Sequence, residues 1–564
     1  MKTNYLRLSL IAWVTTAFMA SCSQNEEIES ISNPENRALA VAVSANGFDA
    51  ADAETRVSDN GTATVFQSGD EMGLYVIENP DDEAARVILR NIKLSFDGTK
   101  WSAGGNNIYY YKNADYIAYF PYNPALATDI AAADVETKIK EAGDAILAAN
   151  QSSQNEEGKY HAADLMMAKV TAAALVAQET ADKTLNFTLK HQYSMIEIAV
   201  PVHRFSYKKA DGVTSVDYDV PMQELKLKVG VGADAAAATG AVADAEFYSV
   251  GNGVYRYLVN PNAIHVEGSF TDPEDIRPVE FSNTNATNKT LTAGSYIRYN
   301  VTFNGADGKP VNFERKERNI IGDYFCQDGV VFPSDFQVLP KNIVGIVVAK
   351  VGENDFPVEA GKFDYYVLSI KSRNGTAAKD LANITGVTNV ELPSSADIST
   401  LLAEMNGWSN TQALQTAKAD IATDLENNWT KNADFKLSEN IVTSGWFVPS
   451  IGQWCKIQTD LLDADASTIT YTYNSTSTSW SSSTKGQVNA KLDALVKQLS
   501  TNGYQLTTGD LSFQKGTLFW SSTQTGAEGD NSKQYVVEIK GSEFTVKTED
   551  KTNKSRVRCP MLAF

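Results

Sequence analysis

ALAVAVSANGFDAADAETRV, residues 38–57, places one short strand directly ahead of an arginine. Leu39, Val41 and Val43 alternate with small residues, the period of a strand with a single buried face. Gly47 and the Asp/Ala-rich run behind it read as a loop that carries Arg56 within reach of a protease. With that strand as the first member of a β-sandwich, a cut at Arg56 would take it out of the sheet. The groove left behind would be apolar, and a strand of another subunit could fill it.

The whole chain sets the bounds around this stretch. A length of 564 residues suggests about three or four domains, each able to bury its own core. Hydrophobic residues make up 43% and aromatics 10%, with 24 tyrosines against 8 tryptophans, so the chain is expected to be globular and β-rich. A formal charge of -20 speaks against nucleic acid, because binding phosphates requires a basic stripe. Such acidity suits a protein kept soluble at a cell surface.

The N-terminus reads as targeting sequence. Lys2 and Arg7 precede an apolar run from Leu8 to Ala20 that is too short to span a bilayer. Met19-Ala20-Ser21-Cys22 resembles the lipobox of bacterial lipoproteins, and that resemblance implies acylation of Cys22 and anchoring in membrane lipid. A plain secretory signal is the alternative. Residues 23–37 are polar and acidic and read as a flexible tether.

Further along, Leu94–Trp101 reads as a hairpin turning at Asp97-Gly98, and Ile108–Tyr122 as a pair of aromatic-rich strands. A helix is expected from Val135, Ile139, Ala142 and Ile146, with Asp134 as its cap and Asn150 at its stop. In LNFTLKHQYSMIEIAV, Leu185, Phe187 and Leu189 hold one phase while Ile196, Ile198 and Val200 hold the other. That shift predicts a bulge or bend near Tyr193, where the chain passes from one packing surface to another. Leu225 to Val231 and Ile297 to Phe303 alternate as strands, and Val254–Val259 lies between them.

Arg56 ahead of FQSGDEMGLYV, followed by AYFPY, ADLMMA and FTLKHQYSMIEIAV, resembles the fimbrillins, pilin-like lipoproteins of Bacteroidales, over residues 38–305. The resemblance implies two tandem transthyretin-like β-sandwich domains, expected over residues 38–200 and 201–310. It also implies a location on the outer membrane and then in a fimbrium, with other fimbrial subunits as partners. Maturation would be lipidation at Cys22 and arginine-specific cleavage between Arg56 and Val57, after which a neighbour's strand replaces the segment holding Leu39, Val41 and Val43. Arg37-Ala38 is the second candidate for cleavage; a loop arginine that is never cut is the third reading.

Beyond about Gly305 the pattern changes to α+β. Ile398, Leu401, Leu402 and Met405 suggest a helix stopped by Gly407; Leu414, Ala417, Ile421 and Leu425 suggest another, and Val488 to Leu499 a third. GDYFCQDG, GWFVPSIGQW and LFWSST resemble a domain of Bacteroidetes surface proteins related to formylglycine-generating-enzyme-like and C-type-lectin-like folds, which sets residues 311–564 as a third domain. Trp446, Trp454 and Trp520 are then expected in its core. A glycan or a host protein is the expected ligand. The terminal VRCPMLAF reads as a core strand of that domain, so the subunit would accept a strand without donating one and would sit at a fibre tip.

No catalytic constellation is expected. Sequence motifs for hydrolases, P-loops and full EF-hands are lacking. Asp463 and Asp465 have only the first spacing of a calcium loop and read as a turn. His191 reads as a structural histidine, and Cys326, Cys455 and Cys559 allow at most one bridge. No metal or cofactor is expected.

Overall fold

The computed structural model describes residues 38–51, 65–83, 85–111, 113–176, 184–283, 290–304, 311, 313–352, 355–356, 362–370, 373–374, 398–417, 436–438, 440–504, 517–525, 533–540, 543–550, 557–558 and 560–564. Strands dominate, and the described residues pack as two compact units. One is drawn from 1–47, 59–146 and 164–192, the other from 48–58, 147–163 and 193–564. Strand β1 (Ala40–Ala45) falls in the first unit, and the next strand, β2 (Asp49–Ala50), in the second.

In the first unit, β3 (Glu71–Glu78), β4 (Arg86–Phe96), β5 (Trp101–Ser102), β6 (Ala114–Phe120), β7 (Met166–Thr171) and β8 (Thr184–His191) join β1 in a seven-stranded sheet, ordered β1-β8-β7-β6-β3-β4-β5. Every pairing is antiparallel except that of β1, which runs parallel to β8. In β8, Leu185, Phe187 and Leu189 are buried while Asn186, Thr188 and Lys190 are exposed, as a period of two requires. Strands β3 and β6 are buried on both faces. Gly73 of β3 makes room for the Tyr119 ring, which a Cβ would strike; the Tyr119 hydroxyl donates to Asn91 Oδ1 at 2.6 Å.

One expected strand is not formed. Ile108–Tyr111 makes no ladder, although it is rich in the aromatic residues that favour strands. The segment is instead tied by the Tyr116 hydroxyl, which donates to the Tyr109 carbonyl at 2.9 Å and accepts from the Tyr111 N–H at 2.9 Å. Ile108 and Tyr110 thereby enter the same core as Leu39.

The second unit begins its main run where β8 ends. β9 (Ser194–Ala199) follows β8 after Gln192 and Tyr193, and Ile196, Ile198 and Val200 point into a different core from Leu185, Phe187 and Leu189. The phase change in the sequence therefore marks a change of sheet. A hairpin follows, of β10 (Val202–Lys208) and β11 (Ser215–Pro221). Next come β12 (Gln223–Gly232), β13 (Ala243–Asp244), β14 (Tyr248–Gly251), β15 (Val254–Val259), β16 (Ala263–Asp272), β17 (Arg277–Ser282) and β18 (Ser295–Asn300). They form two sheets, β14-β15-β9-β18-β2 and β13-β12-β16-β17. Tyr257, Val259 and Ile297 from one sheet meet Leu227, Val229, Ile264 and Phe270 from the other in one core, so this part is a β-sandwich.

The remainder of this unit mixes sheets and helices. β19 (Lys316–Glu317) adds to β10. β20 (Tyr324–Cys326), β21 (Val331–Phe332), β22 (Ile343–Lys350) and β23 (Tyr365–Ser369) build a five-stranded sheet that is closed by the last strand of the chain. β24 (Arg373–Asn374), β25 (Tyr471–Asn474), β26 (Ser479–Ser482), β27 (Thr517–Gln524), β28 (Lys533–Lys540), β29 (Glu543–Asp550) and β30 (Val557–Arg558) form a seven-stranded sheet. β31 (Met561–Ala563) is that last strand, fully buried beside β23.

The helices Ile451–Leu461 and Lys485–Thr501 bury Trp454, Ile457, Val488, Leu492 and Leu499 in a core shared with Phe205 and Val220 of the β10–β11 hairpin. Ser450 and Gln453 form a reciprocal capping box at the start of the first helix. Gly407 opens the helix Gly407–Ala417 rather than stopping one. Its lack of a side chain serves close approach, because a Cβ would collide with Gln453 Oε1 and the Ser450 backbone. Of the second expected helix, Leu414 and Ala417 are helical, while Ile421 and Leu425 lie outside the described residues.

Candidate functional site

The segment Ala38–Ala51 is the candidate site, and its physics begins with side-chain size. Alternating Leu or Val with Ala leaves one face apolar and the other nearly bare. Leu39, just ahead of β1, is 8% exposed, whereas Val41, Val43 and Ala45 are only half-buried against the same core. Ala40, Ala42 and Ser44 face out. β1 pairs with β8 from Ala40 opposite Thr184 to Ala45 opposite Leu189. The Asn46 N–H extends this ladder to the Leu189 carbonyl at 2.9 Å.

β1 is the last strand on its side of the sheet. Among the described residues its outer edge is met only at its start, where Leu39 N–H donates to the Ile108 carbonyl at 2.7 Å and Ala38 bridges Tyr109. A fully buried aliphatic side chain contributes about 1.5–3 kcal/mol; Leu39, ahead of β1, is one such residue, and β1 itself has none, only three part-way in. Detaching it thus costs far less than removing β6, which is buried on both faces.

The second unit holds the continuation of the same segment in the same way. Phe48 is buried, and β2 runs parallel to β18 with Asp49 opposite Ser295 and Ala50 opposite Tyr296. Asp49 N–H donates to the Gly294 carbonyl and Ala51 N–H to that of Tyr296, both at 2.8 Å. β2 is likewise a terminal strand of its sheet. One stretch of chain, upstream of Arg56, thus supplies a parallel edge strand to each unit.

Of the residues singled out from sequence, Leu39, Val41 and Val43 lie together on the buried side of the β1 segment. Cys22, Arg37, Arg56, Val57 and Cys559 lie outside the described residues, and Ala38 is the first described. His191 is buried, with Nδ1 2.8 Å from Asp164 Oδ1. Trp454 and Trp520 are buried, and Trp446 packs partly buried against a smaller cluster. Asp465 accepts from the Ser467 N–H at 2.9 Å as the cap of a short 3-10 turn, a local hydrogen-bonding role. Cys326 and Cys455 are free and buried; burial raises both thiols, that of Cys455 to about 12, so neither is a ready nucleophile.

Two features escaped the sequence reading. β2 has no apolar alternation to betray it, since it is held by backbone bonds alone. Glu197, 2% exposed, is clamped by Arg256 Nε at 2.8 Å and Arg298 Nη1 at 2.8 Å from the strands on either side. Its only signal was a lone charge within the apolar run MIEIAV.

Among the described residues no group of three or more His, Cys, Asp or Glu could hold a metal ion, and no helix is long and apolar enough to cross a membrane.

Residues 55–315 match the fimbrillin-like family. Over 356 residues the chain is 27% identical to a Bacteroides ovatus protein named, by inference, as a fimbrium tip subunit; the match takes in 62% of this chain and 59% of that one. The chain therefore spans less than two thirds of that relative's length. A crystal structure of a fimbrial protein from Bacteroides ovatus shares the fold at a TM-score of 0.51 and 18% identity, covering 94% of this chain and all of the other.

Proposed function

We propose that this fimbrillin-like chain is the precursor of a fimbrial accessory or tip subunit, an adhesin that accepts a strand from a neighbouring subunit. The observation that carries the reading is the placement of Ala38–Ala51: a parallel edge strand in each unit, both upstream of Arg56. Export as a lipoprotein anchored through Cys22, then cleavage between Arg56 and Val57, would release both strands and leave two sheet edges with unpaired backbone groups. Edges of that kind template the addition of a strand from another chain. Cleavage at Arg37-Ala38 would free the lipid anchor and leave both edges filled.

The likeness to the Bacteroides ovatus protein named for a tip role supports the terminal position in the fibre. The α+β region would then be the adhesive, lectin-like part, facing a glycan or a host protein. Gold-labelled antibody against this chain tests the reading on whole cells. Label at filament ends supports it, whereas label spread evenly over the cell surface and absent from filaments would replace it with a lipoprotein that never polymerises.

A further inference from the structure

A cavity of about 320 Å³ opens in the α+β region. Its walls combine Leu402, Met405, Ala466 and Ile469 with the Tyr471 ring and the Cys455 thiol. The lining also holds one carboxylate, Asp355, with no ion pair among the described residues. Asp355 is 7% exposed. Its Oδ2 accepts from the Gly352 N–H at 2.7 Å and from the Tyr366 hydroxyl at 2.8 Å, while Oδ1 receives no hydrogen bond among the described residues. Tyr366 is itself fixed, since its hydroxyl accepts from Gln453 Nε2 at 3.1 Å. The carboxylate is thus aligned before any ligand arrives.

The other charged side chain among the described lining residues is already engaged. Lys456 also lines the cavity, but its ammonium lies 3.5 Å from Asp460, which in turn accepts from the Lys350 N–H at 2.8 Å. A carboxylate held in an apolar cavity is costly unless a cation or donors satisfy it. Pockets of this size, largely apolar with few oriented polar groups, bind small ligands or side chains.

We infer that this cavity binds an alkylammonium group, an aliphatic stem ending in a primary amine, with the ammonium on Asp355 Oδ1 and the stem against Leu402, Met405 and Ile469. A lysine side chain of a target protein and a free diamine share that chemistry. The inference stands independently of strand exchange.

Calorimetric titration of the full mature chain with n-pentylamine, against 1-pentanol as the neutral isostere, is the test. The amine binds and the alcohol binds at least tenfold more weakly. Asp355→Asn, which keeps the acceptor for Gly352 and Tyr366, weakens amine binding at least tenfold, and Ile469→Trp, which fills the cavity without touching the carboxylate, abolishes it at an unchanged melting temperature. Tighter binding of Nα-acetyl-lysine methylamide than of cadaverine identifies a protein lysine as the occupant, and the reverse order a free diamine. Equal binding of amine and alcohol, undiminished binding by Asp355→Asn, or no amine binding by the parent chain overturns the inference.

Discussion

Glu197 shows how a single residue holds a sheet of the second unit. One carboxylate bridges guanidinium groups from β15 and β18, and its burial leaves water little access to replace them. Glu197→Ala is expected to destabilise the protein by about 3 kcal/mol, because removing one member of a buried ion pair leaves its partners uncompensated. Chemical denaturation of the second unit measures this; a change below about 0.5 kcal/mol would mean the clamp is ornamental to folding.

Glu404 is a second buried carboxyl, without a guanidinium partner among the described residues. Burial raises its carboxyl above the usual value, despite bonds from Thr523 Oγ1 and from the Asn406 N–H at 2.8 Å. The native state therefore holds this proton to higher pH than the unfolded chain does. Stability contributed by the group falls as pH rises from the unfolded value through the raised native one, and stays lowered above it. Glu404→Gln, which keeps an acceptor oxygen, should melt higher than the parent at neutral pH and show a flatter profile across that window. A parent and variant with parallel profiles would refute the assignment.

Among the elements, β1 differs from its neighbours in being bonded along one side and half-buried. Val41→Asp with Val43→Asp should cost about 2–3 kcal/mol and leave the remaining strands folded, since the charges reach solvent once β1 lifts away. Leu74→Ala, in the doubly buried β3, should cost about 3–4 kcal/mol and weaken the whole sheet together. Urea denaturation with proteolysis of the N-terminal segment separates these outcomes; if the double variant unfolds the sheet, β1 is not separable.

The elements that were legible in the sequence are those whose side chains sort by face. The alternation of Leu39, Val41 and Val43, the phase change at Tyr193 and the run Val254–Val259 all report burial, and burial is what the side-chain pattern encodes. β2 was illegible because exposed Asp49 and Ala50 contribute only backbone bonds. Ile108–Tyr111 misleads because a run of β-prone aromatic residues looks like a strand whether a ladder or a few isolated bonds secure it. Gly407 looks like a helix stop in the sequence, which does not show Gln453 packing against it. For the candidate site, the strand and its apolar face are legible in the residues; the parallel pairing and the second edge are visible only in the fold.

For the whole molecule, the central claim is that each unit tolerates loss of its edge strand and offers the vacated edge to a neighbour. The most direct measurement is hydrogen exchange on the full chain before and after arginine-specific cleavage, with and without a fimbrial stalk subunit. The account predicts faster exchange in Thr184–His191 and Ser295–Asn300 after cleavage, continued protection of β6 and β16, and recovery of the exposed edges when the stalk subunit is added. Loss of protection throughout both units, or cleavage that leaves Thr184–His191 unchanged, would contradict it.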